Sequence, residues 1–450
     1  MMTSIMTRDD ARALAQRILE QSSADQAEVH ISSGLDGNTR FAANQVTTAG
    51  DVRDLEATLL VRFGTRAASV TFNRFDDRSI AGAAAKAEQF AVLAPENYEQ
   101  MPVLGPQSYD TNGAFADVTV ELNADVRVDA ARGVIERASR EGLLSSGFIQ
   151  RVVAAYAVAN SEGLFAYHRS TLASYTTTVR TPTDDGSGWA GTTHNNWTLM
   201  DAPIVLADRA IDKARRSVGA TAVDPGAYTV LLEPTAVGNL VQLLRGPLDA
   251  RAAAEGRSIF SAVGGGTRLG TQVIDERLSL VSDPSDPRLL DRPFTADGQP
   301  VGRTQWIENG VLTNLATSRF WAMDQDLDPV PAPGGIMLTG GAGSIDDLVG
   351  SIDRGLLVTR FWYVRGVDAR TLLYTGLTRD GVFMIENGEI TGAVRNLRFN
   401  QSILDMLNNV EAVGETVRVV ASESGGLGAP VVVPPLVVRN FHFTSTSEAV

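Results

Sequence analysis

At 450 residues, 44% hydrophobic and 20% charged, the chain has the length of two or three domains and the composition of a folded protein, which excludes disorder, collagen and coiled coil. Its 39 basic against 53 acidic residues give a net charge of −14, a field that repels phosphate backbones and anionic membrane surfaces, so neither a nucleic-acid nor a membrane partner is expected. The absence of cysteine excludes disulfides, thiolate zinc sites, iron–sulfur clusters and a cysteine nucleophile, and fits a cytoplasmic protein.

The first 19 residues carry Asp9, Asp10, Arg12 and Arg17 where a signal peptide needs an apolar stretch, so no export is expected. Instead Ala11, Leu14, Ala15, Ile18 and Leu19 form one stripe behind Thr7 as N-cap, which predicts an amphipathic helix over 7–21. Period-two alternation predicts strands at 28–32, 55–63 and 67–72, the last two joined by a tight Gly64-Thr65 turn. An alanine-rich helix follows at 78–93, then a proline-marked loop, a helix over 126–141, and strands at 148–159, 163–168 and 172–181, the first two joined at Asn160–Gly163. A helix over 203–217 ends in Lys213, Arg215, Arg216 and Gly219, residues suited to a helix C-terminus.

Asp224-Pro225-Gly226 marks a boundary and opens a strand at 228–232. Beyond it the chain reads mostly as strand and turn, with short helices at 235–244 and 402–408. Ile307–Thr313 and Ile385–Thr391 echo one another, each with an Asn-Gly pair that tolerates the positive φ of a hairpin turn, and read as a recurring turn rather than a duplicated domain. The apolar run at 431–438 is short and broken by Pro434 and Pro435, too little to span a bilayer. The fold class is α+β: an N-terminal α/β sandwich-like domain with an antiparallel sheet over 1–223, with sub-regions of about 1–94 and 115–223, and a predominantly β domain with interspersed helices over 224–450.

Chemistry is sparse. The four histidines, His30, His168, His194 and His442, have no partner at i+4 and read as surface or hydrogen-bonded residues. His194 stands out through Asn195, Asn196, Trp197 and the sequence-near Asp184 and Asp185, a polar cluster that a hydrolase could use. Asp324, Asp326 and Asp328 open like a calcium loop, but Pro329 replaces the required glycine and Gly335 the bidentate glutamate. Gly264–Gly270 lacks both phosphate-loop and dinucleotide signatures and reads as a mobile loop. Asp275 and Glu276, taken as strand neighbours, point to opposite faces and cannot act as one acid/base pair.

The segment from Asp224 to Pro234, the 307–312 hairpin, and the run from Gly381 to Ile390 followed by Asn396 carry a resemblance that covers nearly the whole chain: it resembles the TldD/PmbA family, also called the TldD/TldE metallopeptidases. In that family's catalytic branch the helix after the strand carries His-Glu-x-x-x-His, and a late cysteine completes a zinc site. Lining up Pro234 with the family's proline puts Gln242, Leu243 and Pro247 at the His, Glu and His positions, and the turn from Gly425 to Pro430 has no cysteine. The resemblance therefore implies the TldE (PmbA) branch: a non-catalytic chain without a cofactor of its own, inactive alone, with zinc held only in a TldD-type partner. Such a heterodimer would act in proteolysis of unfolded peptides or peptide maturation. The alternative is a homodimeric peptide-binding scaffold; the 264–270 and 324–335 loops read either as shaping a peptide groove at the subunit interface or as ordinary surface loops.

Overall fold

The computed structural model describes residues 5–423 and 428–447. Its N-terminal half is built on six strands, β1 (Gln26–Ala42), β2 (Gln45–Phe63), β3 (Arg66–Phe72), β4 (Leu144–Asn160), β5 (Phe165–Arg180) and β6 (Ser187–His194), in the order β3-β2-β1-β4-β5-β6. All neighbours are antiparallel. Helices α1 (Arg8–Leu19), α2 (Asp77–Leu93), α3 (Asp117–Val120), α4 (Ala124–Arg140) and α5 (Pro203–Arg216) accompany this sheet. The caps are local chemistry: Thr7, Asp76 and Asn123 accept backbone N–H groups at the starts of α1, α2 and α4, and Pro203 opens α5.

Side chains alternate across a strand, so one face of the sheet carries Val29, Ile31, Ile149, Ala157 and Ala159 against the α1/α2 and α4/α5 pairs. The opposite face, through Val158 and Ala166, packs on Phe294 of the C-terminal half, with Tyr156 stacked on the same ring at 6.1 Å. It is this second face that positions the candidate site.

Three expectations need correction. β1 and β2 run 17 and 19 residues, well beyond 28–32 and 55–63. Inside β1, Gly37 makes room for a buried cation. A Cβ there would lie 2.4 Å from Arg127 Nη1, and that guanidinium donates to Leu122 O at 2.8 Å and Gly50 O at 3.1 Å, and pairs with Asp51 at 3.1 Å. The segments 163–168 and 172–181 are one continuous strand, β5, because every residue from Phe165 to Arg180 pairs with β4. Asp275 and Glu276 lie in a loop, not a strand, and Asp275 is engaged by the Arg277 guanidinium at 2.7 Å.

The C-terminal half contains β7 (Gly226–Leu232), β8 (Ser279–Ser282), β9 (Thr304–Glu308), β10 (Val311–Leu312), β11 (Ile336–Thr339), β12 (Arg354–Asp368), β13 (Leu373–Glu386), β14 (Glu389–Ala393), β15 (Leu397–Ser402), β16 (Val410–Val413), β17 (Val417–Val419), β18 (Val431–Val433) and β19 (Leu436–Thr446). One sheet runs β10-β9-β8-β11-β18-β17. The other runs β12-β7-β19-β15-β13-β14, and because β12 also pairs with β13, five of its strands close into a ring. Closure removes free edges and encloses Phe361, Phe399 and Phe441, whose ring centroids lie 4.6–5.6 Å apart. The β9–β10 and β13–β14 hairpins turn at Asn309-Gly310 and Asn387-Gly388, all four with positive φ as the Asn-Gly signal predicts. No helix among the described residues is long and apolar enough to cross a membrane.

Candidate functional site

The helix after β7 is α6 (Pro234–Val241). Pro234 starts it, and Ala236, Val237, Leu240 and Val241 turn one face into the large C-terminal core. Its preceding residue, Glu233, holds Lys213 of α5 at 2.6 Å in a largely buried ion pair, so the two halves of the chain meet at the start of this helix. Gly238 lies against β17, where a Cβ would come within 2.6 Å of Val419 Cγ2. Asn239 is buried: its amide donates to Ala421 O at 2.7 Å, and its carbonyl accepts the Phe361 N–H at 2.9 Å.

The helix tightens into a 3-10 turn over Gln242–Leu244 and then leaves helical geometry before Pro247, which disfavours a helical residue ahead of it. Gln242 Nε2 donates to the same Ala421 carbonyl at 2.6 Å. Leu243 packs on the apolar core, and Pro247 contributes only its carbonyl, which accepts from Ser258 Oγ at 2.8 Å. Gln242 and Pro247 therefore do not share a helix face. Of the late glycine-rich turn, Gly425, Gly426 and Leu427 lie outside the described residues; Gly428, Ala429 and Pro430 lie within them.

These last three residues and Arg418 wall two adjoining cavities, of about 40 and 370 Å³. Ser174, Thr193 and Gln242 line the smaller. Tyr156, His168, Asn195, Asp291 and Arg292 line the larger. Alternation along β17 explains the placement: Val419 faces α6 while Arg418 faces β5 and β6. Arg418 Nη1 donates to Asn195 Oδ1 at 2.7 Å and to Arg288 O at 3.3 Å. Burial pulls its pKa down to about 10, with Asp291 opposing, so it remains a cation at neutral pH. His168 is pushed down to about 4, chiefly by burial, with Asp291 opposing and Arg292 adding. His194 is also held near 4, by burial and then by Arg418; its Nδ1 accepts the Asn196 N–H at 3.0 Å, which leaves the proton of the neutral ring on Nε2.

The polar cluster expected around His194 does not form. His194 pairs with Ala173 at one end of the β5–β6 ladder, whereas Asp184 and Asp185 sit in the turn beyond its other end, where Ser187 pairs with Arg180. The ends lie seven residue steps apart along the strand, about 23 Å. Asp184 accepts from Arg180 at 2.9 Å, and the Thr181 and Thr183 hydroxyls hold the Asp185 carboxyl below its usual range. A hydrolytic pairing of His194 with either aspartate is thereby excluded by distance.

Of the other histidines, His30 bridges Tyr156 Oη at 2.6 Å and Glu28 Oε1 at 3.0 Å, and His442 lies in β19, its backbone N–H donating to Gln401 Oε1. Asp324 and Asp326 belong to the end of the helix Arg319–Gln325, where Asp326 adopts a left-handed cap. Within the other expected groove loop, Gly264, Gly265, Gly266 and Gly270 have positive φ, and the Gly270 N–H is bonded to Leu312 O. Residues 330–332 line a separate cavity of about 550 Å³ with Arg62 and Arg319. Sequence reasoning missed Arg418 and Arg292. The available signal was a lone arginine within Val417-Arg418-Val419-Val420-Ala421, a charge in a run that otherwise reads as core.

A family model described as the PmbA/TldA metallopeptidase C-terminal domain matches residues 225–445, and one described as the PmbA/TldA metallopeptidase central domain matches residues 115–218. The chain belongs to the TldD/PmbA family. Among relatives, a metalloprotease of Methanothermobacter thermautotrophicus is 26% identical over 257 residues, 52% of this chain and 54% of that protein, and the metalloprotease PmbA of Escherichia coli O157:H7 is 28% identical over 153 residues, 33% of each. The matched stretches thus span about half and a third of those relatives. Among solved structures, TldE from Thermococcus kodakarensis superposes with a TM-score of 0.84 at 15% identity, covering 96% of this chain and 99% of that one. A Thermotoga maritima protein described as a candidate modulator of a DNA gyrase gives 0.82 at 17%, covering 96% and 100%. Those likenesses establish a shared TldD/PmbA-type fold.

The metal that the family name implies can be tested against this donor set. An amide already bonded to a carbonyl, an aliphatic side chain and a proline ring do not provide zinc ligands, and among the described residues no three His, Cys, Asp or Glu side chains converge. The residues present do not fit a zinc ion at α6.

Proposed function

We propose that this chain is a non-catalytic, TldE-type subunit of a TldD/TldE-type peptidase complex in the cytoplasm, and that a zinc-bearing TldD-type partner cleaves unfolded peptides in the assembly. The observation that carries this reading is the occupation of the ligand positions by structure-forming groups. Gln242 ties the end of α6 to Ala421, half-buried Leu243 packs against the core, and Pro247 ends the turn. A helix kept without zinc-donor side chains at these positions is what a subunit supporting a partner's site would need. Shared folds do not fix activity, so the test is biochemical.

The purified chain is expected to contain no stoichiometric zinc by elemental analysis and to cleave no unfolded peptide. Co-expression with a family member carrying His-Glu-x-x-x-His is expected to yield a heteromer that does. One zinc per chain, or cleavage by the isolated chain, overturns the proposal. Recovery of self-dimers alone from the native cell supports instead a homodimeric peptide-binding scaffold.

A further inference from the structure

We propose that the larger cavity, walled by Tyr156, His168, Asn195, Arg292, Arg418 and Pro430, is a carboxylate-binding site that takes the C-terminal end of a peptide. Buried polar atoms without partners are rare in folded proteins and each needs a cause. Seven such side-chain atoms occur among the described residues, and three of them, His168 Nε2, Ser174 Oγ and Arg418 Nε, belong to residues lining this cavity and the small one joined to it. The arginine nitrogen is a donor, the hydroxyl can donate, and the imidazole nitrogen donates in one neutral tautomer. In the larger cavity, a ligand rich in acceptors suits His168 and Arg418 where a hydrocarbon does not; Ser174 lines only the smaller one.

Charge narrows the class. Arg292 and Arg418 bring two positive charges. Asp291 brings one negative charge, and both of its carboxylate oxygens are engaged by backbone, Oδ1 accepting the Arg292 N–H at 2.7 Å and Oδ2 the Gly335 N–H at 2.7 Å. His168 is neutral at physiological pH. The balance of one positive charge matches a monoanion, while the aspartate disfavours a phosphate dianion. Both cations are also fixed: Arg418 is held by Asn195, and Arg292 by Phe294 O at 2.9 Å with its guanidinium 4.2 Å from the Tyr156 ring centroid. A planar guanidinium suits carboxylate recognition. The volume, about 370 Å³, far exceeds that of one water (about 30 Å³), and Ala154, Leu172 and Pro430 supply apolar wall for a terminal side chain.

This assignment deepens the peptide-binding role proposed above and rests on it for the ligand's identity, but it is read on the isolated chain, so the absence of a catalytic partner does not affect the outcome. Calorimetric titration would compare acetyl-Ala-Ala as the free acid, the same dipeptide as its C-terminal amide, and propionate as a free organic acid. The free acid is expected to bind at least tenfold more tightly than the amide, and also more tightly than propionate. Propionate binding as tightly as the peptide overturns the peptide source. Arg418→Gln is expected to weaken the free acid at least tenfold, and Arg418→Lys to restore part of the loss. If Arg418→Gln fails to fold, Arg292→Gln serves the same comparison, with weakened binding again expected. Equal affinity for acid and amide, no binding of the acid at millimolar concentration, or unchanged affinity in a folded arginine variant refutes the site.

Discussion

Arg418 and Asn239 lie on opposite sides of the same stretch, and each illustrates what a single polar residue does once buried. Asn239 satisfies two backbone groups at once, the Ala421 carbonyl and the Phe361 N–H. In Asn239→Ala, Gln242 still donates to Ala421, but the Phe361 N–H loses its acceptor, so a destabilisation of about 2 kcal/mol is expected from urea unfolding, against about 0.5 or less for an exposed alanine substitution. His168 carries a pH signature. Its folded pKa, about 4, lies below the roughly 6.5 of an unfolded histidine, so between these values the unfolded chain binds more protons than the folded one. Stability is therefore unaffected by this group above pH 6.5 and falls as pH drops towards 4. The loss reaches about 2 kcal/mol by pH 5, an upper figure since the ring keeps some solvent contact. Denaturant midpoints at pH 7 and pH 5 should differ less in His168→Gln than in the parent chain; an identical difference would show that the ring titrates as if in water.

At the scale of elements, the sequence made local periodicity and turn chemistry legible and left non-local pairing hidden. The α1 stripe, Pro203 opening α5, and both Asn-Gly hairpins follow from neighbours within a few residues. The full lengths of β1 and β2 did not, because they depend on groups far along the chain: β4 pairs along β1, and a bare Gly37 leaves room for the Arg127 guanidinium arriving from α4. The ring closure by β12–β13 and the cavity at Arg418 were likewise illegible, since both depend on groups far apart in the chain. That Gln242, Leu243 and Pro247 are not zinc donors follows from residue type alone. Turn glycines allow a graded test. Gly64 has φ of +58° and open space around a Cβ, so Gly64→Ala is expected to cost about 1 kcal/mol from backbone strain alone. Gly310 has φ of +81°, and a Cβ there would lie 2.4 Å from Ile274 O, backbone that cannot swing aside, so Gly310→Ala is expected to cost about 3 kcal/mol or more. Equal melting temperatures for the two variants would contradict the packing described around the β9–β10 turn.

At the scale of the whole molecule, the N-terminal sheet and the C-terminal ring are joined by charge as well as by Phe294. Arg360 on β12 is 7% exposed and sits over Trp189 of β6 at 4.9 Å, while Asp380 on β13 is 2% exposed and accepts from Ser187 Oγ of β6 at 2.6 Å. Arg360 Nε and Asp380 Oδ2 are 3.6 Å apart, so the carboxylate compensates a guanidinium whose pKa burial pulls down. Buried pairs of this kind add little over an apolar pair, but removing one partner strands the other. Asp380→Ala leaves Arg360 buried against Trp189 and Ser187 Oγ without its acceptor, for an expected loss of about 3 kcal/mol in guanidinium-chloride unfolding. The reciprocal Arg360→Met keeps the stem's volume and leaves the carboxylate with Ser187 Oγ and with Arg379 Nε at 3.9 Å, so it should cost less alone, while Asp380→Ala combined with Arg360→Met should recover part of the Asp380→Ala loss. Strict additivity in that cycle would mean that the two groups do not sense each other across the β12–β13 pairing.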